Sequence, residues 1–249
     1  GAYQTRLPND DPTVNTACFV GASSQVLTGG KGTLRLWDTT SGRLLRSLNN
    51  LGGGYVVAVT DVPDYSVWAV VLSFGKLLLV DPQEERVLGA YDLNLVKEPD
   101  TPYPPQLITA TFSRDGRLLL AKQEREQPLI LWDIGAGKAL PSPDRGGISV
   151  DYIAISPEGK RYAVADQDRR VGIGVLGNEN KIVWQKDDLA AGRIHGLAFV
   201  GDPGELFVAG VNCHYLDERN QQATQLQRSA SLFAAHAEEV AAVDYEGIL

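Results

Sequence analysis

The stretch KGTLRLWDTTSGRLLRSL, residues 31–48, decides how this chain is read. An apolar alternation ends in Trp37-Asp38, a turn-like TTSG follows, and a second alternation begins at once. Period-two alternation broken by a polar turn predicts two antiparallel strands. The pattern returns as LILWDIGAGKAL at 129–140, and in weaker form as LLLVDPQEERVLGAY at 77–91 and VGIGVLGNENKIVWQ at 171–185. Ahead of each copy lies another strand pair: 17–30, 56–71, 108–121 and 150–165, with a further one at 195–210. Turns such as SRDGR (113–117) and SPEGK (156–160) are strong hairpin signals, because Gly supplies positive φ and Asp or Pro presets the bend.

The repeating unit therefore has four strands and a period of roughly 40–50 residues, the signature of propeller blades. At these residues the chain resembles the WD-repeat family. The resemblance is carried by Trp37-Asp38, Trp132-Asp133, the strand GTLRLWD, the turns FSRDG and ISPEG, and AAHAEEVAAVDYEG at 234–247. It implies an all-β fold: one β-propeller domain over 1–249, built of four-stranded antiparallel blades. The blades are expected at about 14–48, 55–93, 107–140, 148–186 and 193–234, with a partial blade at 235–249. A lone strand at 2–7 is expected to complete the last blade and close the ring. The family favours seven blades, with six as the alternative. Trp37, Asp38, Trp132 and Asp133 are expected to be structural repeat marks, the tryptophans packed between blades. The resemblance also makes His236 a structural histidine, and it sets Thr28 and Trp37 in one hydrogen-bonded network, although Lys31 stands where that network has Asp. The eroded repeats and compact loops read as bacterial.

Composition narrows the function classes. The chain is 43% hydrophobic and 22% charged, with a formal charge of -8; it has no basic stripe, so nucleic acid is not an expected partner. Cys18 and Cys213 lack metal-ligand spacing, and no cofactor or metal is expected. No apolar run reaches the ~18 residues needed to span a membrane. The cytoplasm is the favoured compartment. A periplasmic or lipid-anchored location stands beside it, because the sequence starts at Gly1 and contains no Met, so a leader removed before Gly1 is compatible with it.

Loop length points to the working face. The turns expected inside each blade on one side are uniformly short, whereas 91–106, 121–128, 141–147, 166–170 and 211–222 all fall on the other. Long loops on a rigid scaffold are where binding residues gather. The expected function is a non-catalytic protein-interaction scaffold, a monomer that holds a protein or peptide on this face. The candidate contacts are Tyr103 in the Pro-rich stretch PDTPYPPQ, Arg125, Arg169, and His214 and Tyr215 in CHYLDERN. The alternatives are a small molecule or carbohydrate in the central channel, or a propeller hydrolase or oxidoreductase. The chain carries no GxSxG, HExxH or P-loop, and GIGVLG (172–177) resembles a phosphate loop only superficially, having no helix after it.

Overall fold

The computed structural model describes residues 13–21, 24–167, 169–189, 192–200, 205–217 and 222–225, with the backbone of 232–236, 239–244 and 247–248. The strands form six antiparallel sheets, each a simple meander. The first sheet comprises Thr16–Phe19, Gln25–Gly29, Leu34–Asp38 and Leu44–Leu48. The second comprises Val56–Val62, Val67–Leu72, Lys76–Asp81 and Arg86–Asp92. The third comprises Leu107–Phe112, Leu118–Gln123, Ile130–Asp133 and Lys138–Leu140. Tyr152–Ile155, Arg161–Ala165, Val171–Val175 and Ile182–Lys186 make the fourth. Ile194–Val200, Glu205–Gly210, His214–Asp217 and Gln222–Gln225 make the fifth. The sixth has three strands, Leu232–His236, Glu239–Asp244 and Gly247–Ile248.

The first strand of each sheet lies against the first strand of the next, so the sheets follow one another in a propeller-like succession. The seven-bladed expectation and its six-bladed alternative are both corrected here: among the described residues five sheets are full four-stranded blades, and the remaining sheet has three strands. Seven came from the resemblance alone, whereas the strands pair strictly in chain order and give one sheet per visible sequence copy. The closing strand expected at 2–7 lies outside the described residues. His236 falls at the end of the sixth sheet's first strand.

The second strands explain the stacking. Val67–Leu72 is a continuous apolar run buried along its whole length, as a strand covered on both faces must be. Alternate residues serve different neighbours. Ala69 and Val71 join the core shared with the third sheet, while Trp68, Val70 and Leu72 join the core shared with the first. In the third sheet, Leu119 and Ala121 face the second, and Leu120 faces the fourth. Ala163 and Ala165 pack toward the fifth sheet.

The Trp-Asp marks act locally. Asp38 Oδ1 accepts hydrogen bonds from Ser41 N (2.7 Å) and Ser41 Oγ (2.9 Å), which hold its carboxyl below the ordinary range. Asp133 Oδ1 accepts from Ala136 N at 2.8 Å. Asp81, which follows Val80 rather than Trp, accepts from Gln83 N (2.7 Å) and Glu84 N (3.0 Å). The aspartate thus pins the turn between third and fourth strands whether or not Trp precedes it.

Trp37 and Trp132 differ in one hydrogen bond. Trp37 Nε1 donates to Thr28 Oγ1 at 2.9 Å, and Thr28 pairs with the residue two before Trp37, Arg35. In the third sheet the matching position, paired with Ile130, is Ala121. The buried Nε1 of Trp132 consequently has no partner. Ala121→Ser restores an acceptor and is expected to stabilise the fold by about 1 kcal/mol, the usual net worth of such a bond. Urea denaturation checks this; a loss of stability would mean that the hydroxyl cannot reach the indole.

A second test concerns Asp61, on the first strand of the second sheet, whose carboxyl is pushed above its ordinary 3.8 by burial. The folded chain therefore keeps this proton to higher pH than the unfolded chain does. Stability from this group is present below the unfolded value and lost as pH rises through the folded one. Asp61→Asn is expected to raise the melting temperature at neutral pH, with the gain shrinking toward acid. A gain that does not depend on pH would contradict the assignment. Burial of Cys18, with the Asp61 charge nearby, pushes its thiol up to about 12.

Candidate long-loop interaction face

The segment from Leu93 to Gln106 bridges the second and third sheets and is tied down at each end. Leu93 is buried and its N–H donates to Gly75 O at 2.8 Å. Asp92 Oδ1 accepts from Asn94 N at 2.9 Å, where the chain turns through φ 53°. At the far end Gln106 O accepts from Glu124 N at 3.0 Å, and Leu107 N donates to Ser73 O at 2.7 Å. Between these anchors stand Pro99, Pro102, Pro104 and Pro105. Each proline fixes its own φ and drives the residue before it to extended backbone, so Thr101 and Tyr103 have little conformational freedom to lose. Thr101 Oγ1 accepts from Tyr103 N at 3.3 Å.

The strap is clamped in its middle by the end of a core strand. Gln123, only 4% exposed, turns its side-chain amide onto the backbone of Val96. Its Oε1 accepts from Val96 N at 2.8 Å, and its Nε2 donates to Val96 O. Beyond it Arg125 adopts φ 60°, and its guanidinium donates to Glu98 on the strap. Lys122, also 4% exposed, stabilises that turn, its Nζ donating to Gln123 O (3.1 Å) and Arg125 O (3.2 Å). Burial pushes its pKa down. Strap and loop border a half-open cavity of about 150 Å³, lined among others by Glu98, Tyr103, Pro105, Gln123, Glu124 and Arg125. Tyr103 stands at its edge, 72% exposed.

The expected contact residues are thus divided. Tyr103 and Arg125 line one cavity. Arg169 lies elsewhere on the same face, in an open cleft of about 430 Å³ that it shares with Gln167, Gly192 and Arg193. There Arg169 Nη1 pairs with Asp188 at 3.2 Å, and Arg193 Nη2 donates to Gln167 Oε1 at 2.9 Å. His214 and Tyr215 are not on a long loop: a short turn at 211–213 leads straight into the strand His214–Asp217. His214 is buried, its Nδ1 is 3.1 Å from Asn212 O, and burial lowers its pKa. Tyr215 packs on Phe207 with ring centroids 5.3 Å apart.

Gln123, Glu98 and Lys122 escaped the sequence reading. The one signal for Gln123 and Lys122 was the polar ending of an otherwise apolar strand, LLLAKQ, and Glu98 on the strap had none. The Gly-rich GIGVLG is packing: Gly174 makes room for the ring of Tyr162, and Gly172 for Ile148 and Ile182, each 3.1 Å from where a Cβ would sit. Among the described residues no three His, Cys, Asp or Glu side chains are gathered to hold a metal ion, and no helix is long and apolar enough to cross a membrane. No protein-family model matches the chain, and no curated protein matches it.

Proposed function

We propose that the chain is a non-catalytic protein-interaction module, a WD-repeat-like β-propeller that holds a protein or peptide on its long-loop face. The observation that carries this reading is the mounting of Tyr103: an aromatic ring 72% exposed, on a proline-stiffened strap clamped to the core by Gln123. Tyrosine supplies large contact area at low entropic cost and is enriched where proteins bind one another. The adjoining cavity, about 150 Å³, falls below the ~300–1,000 Å³ usual for small-molecule sites. It suits one side chain of a partner better than a metabolite or a sugar ring.

A ligand-binding reading has one observation in its favour. The cleft at Arg169 and Arg193 is of metabolite size, about 430 Å³, and Arg193 immediately precedes the innermost strand of the fifth sheet. Among the described residues its walls offer no aromatic ring to stack on, so the peptide reading is preferred.

The test is affinity capture with the full chain and with a variant whose residues 98–104 are replaced by a Gly/Ser linker of equal length. Discrete proteins enriched on the wild type and lost on the variant are expected. Partners retained undiminished by the variant would refute the proposal.

A further inference from the structure

We infer that the Tyr103 cavity is a cation subsite, shaped to take a lysine or arginine side chain of an extended partner segment; this rests on the interaction reading above. Three groups carry it. The first is Tyr103, whose exposed ring borders the cavity and offers a π face to a cation. The second is Glu124, whose backbone N–H is held by Gln106 O at 3.0 Å while its exposed carboxylate has no ion-pair partner among the described residues. The third is Glu98, whose carboxylate is shared between Arg125 and Gln127, the latter donating at 3.5 Å.

The charges of the lining decide the sign. Two carboxylates, Glu98 and Glu124, face one guanidinium, Arg125, and that guanidinium is already committed to Glu98. Within the lining the Glu124 charge is left over; on the strap outside, Asp100 and Lys97 are both exposed and their charges offset one another. An acidic side chain entering here would meet Glu124, the Arg125 guanidinium being held by Glu98 and the Lys122 ammonium by backbone carbonyls. A basic one finds a carboxylate, a ring and the apolar flanks of Pro104 and Pro105 for its methylene stem. The formal charge of -8 steers basic segments toward the molecule as a whole.

The strap's rigidity sets how the segment lies. Because the prolines hold it extended, its partner meets a fixed edge rather than a loop that must first be ordered, and the segment inserts one long side chain while its neighbours pass over Pro104 and Tyr103.

The experiment uses the full chain and three fluorescein-labelled Gly/Ser peptides, identical except for two central residues that are lysine, norleucine or glutamate. Fluorescence anisotropy is expected to show binding of the lysine peptide, weakening with added salt. Tyr103→Ala and Glu124→Gln are each expected to weaken it about two- to fivefold, and Tyr103→Phe to leave it nearly unchanged. If the glutamate or norleucine peptide binds as well as the lysine peptide and Tyr103→Ala weakens it, the cation assignment falls while the face remains the interaction surface. If no peptide responds to Tyr103→Ala, both fall.

Discussion

Replacing Gly174 with alanine is expected to destabilise the fold by about 3 kcal/mol, the upper end of what overpacking a core costs. Gly174 lies on the third strand of the fourth sheet, and a Cβ built there would overlap the Tyr162 ring. Tyr162 cannot swing aside. It is fully buried, and its hydroxyl donates to Asp144 O at 2.7 Å and is 2.9 Å from Asn180 O. Asn180 in turn accepts from Gly177 N at 2.8 Å and donates to Pro141 O at 2.6 Å, tying the turn after Gly174 to the link from the third sheet. Moving the ring would therefore break a network as well as a packing contact, and buried polar groups left unpaired cost about 1–3 kcal/mol each. Chemical denaturation measures the loss directly. A change below about 1 kcal/mol would mean that the ring has room that this packing denies it. Combining Gly174→Ala with Tyr162→Leu should recover part of the loss, because the smaller side chain vacates the position the new methyl needs.

Gln123→Leu is expected to release the strap while leaving the sheets intact. Leucine matches glutamine in bulk at this buried position but can neither accept from Val96 N nor donate to Val96 O. Losing both bonds is expected to cost about 2 kcal/mol, and to cost it locally. Hydrogen exchange should then speed up at the amides of 94–104, with protection unchanged in the second strands of the second and third sheets. Gln123→Glu keeps the acceptor for Val96 N and loses the donor to Val96 O, so it should fall between wild type and Gln123→Leu. Uniform loss of protection throughout the chain would show that Gln123 supports the core rather than the strap.

These residues also mark where the sequence could be read and where it could not. The strand repeat was legible because burial on two faces forces apolar runs such as VWAVVL, and because Asp38, Asp81 and Asp133 each close a turn with contacts only two or three residues away. Local chemistry of that kind is written locally. The clamp of the strap is not, since Gln123 and Val96 are 27 residues apart and meet only when the third sheet stacks on the second. Arg125 was placed among the expected contacts of the long-loop face, yet its placement depends on a left-handed backbone held by Lys122. His214 is a different kind of miss. Read among the charges of CHYLDERN it looked like a loop residue, but the alternation was present: His214 and Leu216 turn inward while Tyr215 and Asp217 are only partly covered. The number of sheets was overstated for a simpler reason, that the resemblance supplied a count the strand pairs in the chain did not contain.

The central claim, that the strap side is where a partner docks, is tested most directly by site-specific photocrosslinking with a captured partner. Benzoylphenylalanine is placed at Tyr103 on the strap, and in a separate variant at Thr40, exposed in the short Asp38 turn on the opposite side. A covalent adduct is expected from position 103 and none from position 40. An adduct from position 40 with none from position 103 would contradict the claim.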